Sequence, residues 1–187
     1  MMKFSDKYKL SGTKAETLDF LSQAGYSVPK VHYFTVKDWN SNKDAIIENL
    51  MTLFSNDLLA IRSSTKAEDT ADSSMAGAFE SILNVKLERE SVISAINSVI
   101  DSFDDDDSNQ ALAQPMVKDV AMSGVVMTQV LDDGSPYHVV NYDDSSGLTD
   151  TVTSGSTINK TVYIYNGVDT KDFDSQYLLA VLKLIRN

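Results

Sequence analysis

The sequence predicts a mixed fold of the α+β class, in which helices flank antiparallel or mixed sheets. Helical and extended segments alternate in the first part of the 187-residue chain, whereas short strands dominate the second part. Two of these strands are joined by Asp132-Asp133-Gly134-Ser135, a typical hairpin turn sequence. With 42% hydrophobic residues, the chain can bury the core of one domain or of two small lobes.

Hydrophobic periodicity assigns the elements in order. Helices are predicted at 13–24, 41–54, 88–103 and 172–186, where apolar residues recur at helical spacing. Strands are predicted at 31–36, 57–62, 78–86, 111–118, 122–131, 136–142 and 161–165. The polar segment 104–110 is predicted to be a linker, which divides the chain into an N-terminal lobe (1–110) and the incomplete start of a second lobe (111–187).

The composition excludes several classes of protein. The net charge of −11 disfavours nucleic acid or an anionic membrane as a partner. The chain has no cysteine, which excludes a disulfide framework, a thiol nucleophile and a Cys-ligated zinc site. The first residues lack the apolar core of a signal peptide, and no run reaches the ~18 apolar residues of a membrane helix. We therefore expect a cytoplasmic protein that binds neither nucleic acid nor membrane.

The segment AIRSSTKAEDTADSSMAGAFESILNV (60–85) has the composition of a phosphate-binding loop between two strands. Arg62 directly follows an apolar strand, and its guanidinium can donate two parallel hydrogen bonds to an anion. Small Ser, Thr, Ala and Gly residues allow backbone N–H groups to approach a phosphate. On composition alone, an ordinary surface ion pair between Arg62 and Glu68 or Asp69 is about equally compatible with the sequence.

The same segment resembles the nucleotide-binding signature of the phosphoenolpyruvate synthase and pyruvate phosphate dikinase family. That signature reads V-R-S-S, A-x-A-E-D, D-x-S-x-A-G and E-T-F-L-N-V. Residues 114–117 (QPMV) and 123–128 (SGVVMT) are similar to the family's V-Q-x-M-V and S-G-V-x-F-T/S. The resemblance covers most of the chain and implies an ATP-grasp architecture, in which two α+β lobes close over ATP.

The resemblance also implies site residues on separate segments of the chain. The residues expected at the ATP phosphates are Lys14, Arg62, Gly77 and Ser81, and the same loop is expected to be lined by Ser63, Ser64, Ser73 and Ser74. The residues expected beside the adenine are Gln114, Met116 and Val117. Asp150 stands where the family has a glutamate. Met and Val offer an adenine ring apolar walls and backbone groups. For Asp150, a polar loop without a binding role is an equally compatible interpretation.

Lys14 lies at the entry to the first predicted helix, and helix N-termini favour anions. Without the resemblance it would be interpreted as a surface lysine. The family has two glycines before the matching lysine, whereas this chain has Gly12 and Thr13. A second departure is Thr149, which also replaces a glycine of the family.

Other candidate groups are interpreted as structural. The aspartates of 104–107 lack the spacing of a calcium loop and indicate a solvated linker. His32 and His138 lie in predicted strands, and neither matches the phospho-accepting T-S/C-H motif of the family. No metal ligand is expected within this chain, because in the family the residues that hold Mg²⁺ follow the last predicted helix.

The resemblance implies the ATP-binding portion of a phosphotransferase that converts ATP, pyruvate and water to phosphoenolpyruvate, AMP and phosphate. ATP and Mg²⁺ would be the cofactors of the complete protein. We expect this chain to be a truncated domain that is inactive alone and contains no catalytic residue, since pyruvate would bind to other domains. The alternatives are a different acceptor such as an antibiotic or a glucan, and a non-catalytic nucleotide-binding or interaction module. A general ATP-grasp ligase is disfavoured by the V-R-S-S and S-G-V frames.

Overall fold

The computed structural model describes residues 12–55, 58–65, 69–70, 73–74, 80–154 and 159–186. Their contacts divide the chain into two compact units, Met1–Met116 and Val117–Asn187. Both units combine helices with antiparallel sheets, so the mixed class predicted from the sequence is confirmed. None of the helices in the described ranges has the length and hydrophobicity required to span a membrane.

The first unit is built on an antiparallel sheet with strand order β1-β6-β2-β5. Its elements are α1 (Lys14–Gln23), β1 (His32–Thr35), α2 (Val36–Leu53), β2 (Leu59–Ser64), β3 (Asp69–Thr70), β4 (Ser73–Ser74), β5 (Ser81–Val85), α3 (Arg89–Asp101) and β6 (Gln110–Pro115). Strands β3 and β4 pair only with each other.

Helices α2 and α3 pack on one face of this sheet and form the core of the first unit. Alternate strand residues supply the sheet side of the core, and apolar helix positions supply the other side: Phe34, Leu59, Ile61, Val85, Ala111 and Ala113 against Ile47, Leu50, Val92, Ile96 and Val99. Trp39, the only tryptophan of the chain, is buried in the same core and donates from Nε1 to Asn97 Oδ1 at 3.1 Å. The opposite face, which we call the polar face, carries Arg62, Ser64, Ser81, Gln110 and Gln114 together with the buried Ala60 and Leu112.

Helix α2 begins at Val36, five residues before the predicted start. Thr35 is the N-cap: its Oγ1 accepts from the backbone N–H of Asp38 at 3.0 Å, and Asp38 accepts from the Thr35 N–H in return. The Thr35 hydroxyl also donates to this carboxylate and lowers the pKa of Asp38. The helix is kinked at Asn42 (φ −138°, ψ 34°), so the apolar periodicity is regular only after the kink.

A β-bulge explains why two apolar residues of β5, three positions apart, both face the core. Ile82 is paired with Ile61, whereas Val85 is paired with Leu59, so β5 contains one residue more than β2 between these pairs. Asn84 within the bulge has φ +57°, and asparagine tolerates this left-handed region better than most residues.

Strand β6 begins at Gln110 and lies between β1 and β2. The predicted linker therefore ends one residue earlier than expected. The sequence placed the start of the second lobe at residue 111, whereas β6 is a central strand of the first unit's sheet and the second unit begins at Val117.

The second unit contains an antiparallel sheet in the order β7-β8-β9. Its elements are β7 (Ser123–Met127), β8 (Tyr137–Asp143), α4 (Thr151–Ser154), β9 (Lys160–Tyr165), a short 3-10 helix (Thr170–Asp172) and α5 (Gln176–Arg186). Helix α5 packs Leu178 and Leu182 against Val140 and Ile164. Gly124 of β7 lies so close to β8 that a Cβ atom there would be 2.3 Å from the Asn141 carbonyl oxygen.

Candidate functional site

The polar face of the first unit's sheet carries Arg62 in a row of side chains that crosses the four strands. Directly opposed residues of antiparallel strands point to the same face. Arg62 is opposed by Ser81 on β5 and by Leu112 on β6, and Leu112 is opposed by Tyr33 on β1. The half-buried Arg62 and the hydroxyl-bearing Ser81 are therefore cross-strand neighbours on this face.

The rows on either side add a hydroxyl and two amides. Ser64 is opposed by Gln110, and Ala60 is opposed by Gln114. Rows on one face are separated by two residues, or about 7 Å along the strands. The structure thus brings four of the sequence-predicted residues together on one face: Arg62, Ser64, Ser81 and Gln114.

The N-terminus of helix α1 contacts this polar face. The backbone N–H of Ala15 donates to Ser64 Oγ at 2.9 Å, and Thr13 Oγ1 donates to Gln110 Oε1 at 2.7 Å. Thr13 and Ser64 are buried. Lys14, the first residue of α1, lies between these two contacts in the chain and is partly exposed. The lysine is therefore carried by a segment fixed to the row next to Arg62.

Thr13 supplies the cap of helix α1. Its Oγ1 accepts from the Glu16 N–H at 3.3 Å, and Glu16 Oε2 accepts from the Thr13 N–H at 3.0 Å, which completes a capping box. The T-x-x-E pattern is visible in the sequence, but its importance was missed. The threonine that replaces a family glycine thus has a physical role, and its helix directs the positive end of the dipole towards the polar face.

Arg62 forms no ion pair with the side chains that the structure describes. The alternative partners considered from the sequence, Glu68 and the Asp69 side chain, lie outside the described residues. Ser63 does not share the face of Arg62, contrary to expectation: because side chains alternate along a strand, it is buried on the helix-packed side.

The remaining predicted residues are distributed differently. Gly77 lies outside the described residues. Met116 continues the β2–β6 ladder, since its N–H donates to Leu58 O at 2.7 Å. Val117 is 54% exposed and is the first residue of the second unit. Asp150, immediately before α4, also belongs to the second unit.

No group of three or more His, Asp or Glu side chains suited to a metal ion is found within the described ranges. Two carboxylates of 104–107 are engaged locally: Asp104 accepts from Asn109 Nδ2 at 3.0 Å, and Asp106 accepts from the Ser108 N–H at 2.8 Å.

The two histidines occupy packing positions. His138 is buried, and its Nδ1 lies 3.2 Å from the Thr128 carbonyl oxygen. His32 is half-buried on edge strand β1, and burial lowers its pKa.

Asp143 fixes the loop that leads to the G-L-T-D segment of the second unit, and sequence reasoning missed this residue. Its carboxylate accepts from the Ser145 N–H at 2.8 Å, the Ser145 hydroxyl at 2.9 Å and the Ser146 N–H at 3.0 Å, as well as from the Ser146 hydroxyl. These hydrogen bonds, the Ser146 hydroxyl foremost, lower the pKa of Asp143. The D-D-S-S sequence is a signal for such a turn.

Replacing Asp143 with asparagine is expected to lower the stability of the second unit at neutral pH and to flatten its acid dependence. A carboxyl whose pKa is lower in the folded state stabilises the fold above its unfolded pKa of about 4, and this contribution is lost as the pH falls below that value. The difference in the free energy of unfolding between the parent and Asp143→Asn should therefore become smaller at acidic pH. Urea unfolding followed by circular dichroism at neutral and acidic pH measures this difference.

Asp132→Asn is the matched control, because Asp132 is an exposed carboxylate on the neighbouring hairpin. A gap between parent and Asp143→Asn that stays constant with pH would contradict the assignment of this stability to the Asp143 carboxylate.

An arginine and a capped helix N-terminus on one sheet face have the chemistry of an anion-binding protein. The family model of the pyruvate phosphate dikinase AMP/ATP-binding domain matches residues 12–170. The chain belongs to this family, which confirms the predicted membership, and its role is nucleotide binding within a family of phosphoenolpyruvate synthase-like and dikinase-like proteins. No curated protein matches the chain.

Proposed function

We propose that the polar face of the first unit binds the phosphates of ATP, as part of a phosphotransferase of the phosphoenolpyruvate synthase type. The hydrogen bond from Ala15 N–H to Ser64 Oγ carries this proposal. This hydrogen bond connects Ala15, which follows Lys14 in helix α1, to Ser64, which lies two positions after Arg62 on β2. On this proposal Lys14 and Arg62, which are distant in the sequence, contribute to one local surface.

The chemistry of this surface suits a polyphosphate. Lys14 and Arg62 supply positive charge, Ser81 a hydroxyl donor, and helix α1 the positive end of its dipole. In a chain of net charge −11, such a local cationic region is needed to attract an anion. Phosphoryl transfer depends mainly on positioning and charge neutralisation. Mg²⁺, when bound with ATP, would neutralise further charge on the phosphates.

Gln114 is the proposed polar contact for the adenine, with Met116 and Val117 as apolar neighbours. Its support is its position on the face of Arg62, one row along the strand. Asp150 is kept as a candidate nucleotide contact only because it stands where the family has a glutamate.

For the whole protein we propose the reaction of ATP, pyruvate and water to phosphoenolpyruvate, AMP and phosphate. The β-phosphoryl group passes through a histidine to the enol oxygen of pyruvate, and the γ-phosphoryl group passes to water. Neither His32 nor His138 is proposed as that histidine, since both occupy packing positions. The chain itself is proposed to bind ATP without turnover.

Isothermal titration calorimetry of the chain with ATP, with and without Mg²⁺, tests the proposal. We expect saturable binding of ATP that is strongly weakened, but still measurable, in Lys14→Ala. Lys183→Ala is the control, because Lys183 is an exposed lysine of helix α5 in the second unit. Absence of ATP binding by the parent, or equal binding by Lys14→Ala, would contradict the proposal.

A second candidate is a nucleotide-binding module without phosphotransfer, and a third is a phosphotransferase with an antibiotic or glucan acceptor. The departures at Thr149 and Asp150 favour the module, because they alter the family's G-L-G-E segment. Phosphorus NMR on the product of the complete reading frame distinguishes them. Formation of AMP and phosphate only in the presence of pyruvate would support the proposed reaction. Formation of AMP only with an antibiotic or a glucan would support the third candidate. ATP that is bound but unchanged would support the nucleotide-binding module.

A further inference from the structure

Helix α1 contacts the rest of the first unit through hydrogen bonds at its first turn. Ala15 is its only buried residue. The Ala15 N–H is one of the helix amides that have no acceptor within the helix, and Ser64 Oγ satisfies it. The apolar residues Leu18, Phe20 and Leu21 are only half-buried, so the hydrogen bonds of the first turn help to fix the orientation of this helix.

Gln110 is the centre of these contacts. Its Oε1 accepts from the buried Thr13 hydroxyl at 2.7 Å, and its Nε2 lies 3.5 Å from Glu16 Oε1. It is also the cross-strand partner of Ser64. Gln110 and Ser64 thus form one row of the sheet. Gln110 contacts Thr13, the cap of helix α1, and Ser64 contacts Ala15, the second residue of this helix.

We infer that Gln110 and Ser64 are positioning residues for the nucleotide phosphates, which they do not need to touch. They hold the start of α1 on the row next to Arg62, so that Lys14 and Arg62 face the same anion before it binds. Preorganised groups bind more tightly because less conformational freedom is lost on binding. The inference rests on the proposed function and adds two residues to it.

A purely structural role for Gln110 would predict lower stability without a specific effect on Lys14. A positioning role predicts that the effect of Gln110 on affinity depends on the presence of Lys14. A double-mutant cycle separates the two, because interaction between two changes appears as non-additivity.

The experiment measures ATP affinity by calorimetry for the full chain. Gln110→Ala is expected to weaken binding about fivefold to tenfold, the effect of roughly one lost hydrogen bond. In a Lys14→Ala background, Gln110→Ala should cause no further loss of ATP affinity. Ser64→Ala should weaken binding in the same way as Gln110→Ala. Thr13→Ser keeps the hydroxyl and should retain the parent's affinity, whereas Thr13→Val loses the hydroxyl and should bind ATP more weakly.

Asn97→Ala is the matched control. It removes a hydrogen bond of the first unit, that from Trp39, on the helix-packed side of the sheet. We expect reduced stability and unchanged affinity. An equal loss of affinity from Gln110→Ala with and without Lys14, or no loss at all, would overturn the inference while leaving the proposed function intact.

A distance measurement tests the positioning without nucleotide. Because the chain has no cysteine, spin labels can be attached at Ser22→Cys on α1 and Ala45→Cys on α2, both at exposed positions. A narrow distance distribution that broadens in Gln110→Ala and Ser64→Ala is expected, and an unchanged one would overturn the inference. Failure of the parent to bind ATP would instead refute the proposed function.

Discussion

Replacing Arg62 with alanine is expected to weaken the binding of ATP by tenfold to a hundredfold, on the order of 1.4–3 kcal/mol. Arg62 is half-buried and is opposed by Ser81 and Leu112 on the neighbouring strands. Hydrogen bonds from a charged donor to a phosphate are stronger than neutral ones, and partial burial strengthens them. Calorimetric titration with ATP at fixed ionic strength measures the loss.

Two further variants make this result specific. Arg62→Lys keeps the charge but loses the planar fork, so its affinity should lie between those of the parent and Arg62→Ala. Arg89→Ala removes an exposed arginine that is paired with Asp44 on the helical layer, and should leave ATP affinity unchanged. If Arg62→Ala bound ATP as the parent does, the assignment of the phosphate site to this face would be wrong.

Replacing Gly124 with alanine is expected to destabilise the second unit by about 2–3 kcal/mol. The added Cβ would lie 2.3 Å from Asn141 O and 2.9 Å from Tyr142 Cβ. Both atoms belong to the adjacent strand β8, so neither can move away as a flexible side-chain end could. Strands β7 and β8 would have to separate at this point, and the hydrogen bonds between them would weaken.

The comparison for Gly124→Ala is Gly134→Ala in the hairpin turn. Gly134 has φ +70°, and a Cβ atom added there would meet nothing within 4 Å, so alanine adds only conformational strain of about 1 kcal/mol. Urea unfolding monitored by circular dichroism gives both values. A cost for Gly124→Ala that does not exceed the cost for Gly134→Ala would refute the steric explanation.

Much of the secondary structure could be predicted from the sequence, because apolar residues repeat clearly in α3, β7 and β8. The predictions were less accurate where polar contacts define a boundary. The start of α2 is set by the cap at Thr35, and β6 begins with a glutamine that reads as the end of a polar linker. Periodicity does not detect such contacts.

For the candidate site, resemblance indicated the individual residues but not their arrangement. The strand order β1-β6-β2-β5 makes Gln110 a neighbour of Ser64, and this order depends on contacts between distant parts of the chain. Thr13 and Gln110 are 97 residues apart in the sequence. A single sequence contains no local signal for that pairing.

The burial of Trp39 has a practical consequence for studying the two units. It is the single indole of the chain, and it lies in the first unit's core beneath the Lys43 ammonium, which is 4.7 Å from the ring centroid. Fluorescence excited selectively at the indole therefore reports on the unfolding of the first unit alone. Five of the eight tyrosines belong to the second unit, so tyrosine emission recorded beside the indole signal weights that unit, and one titration can reveal whether the two units unfold together.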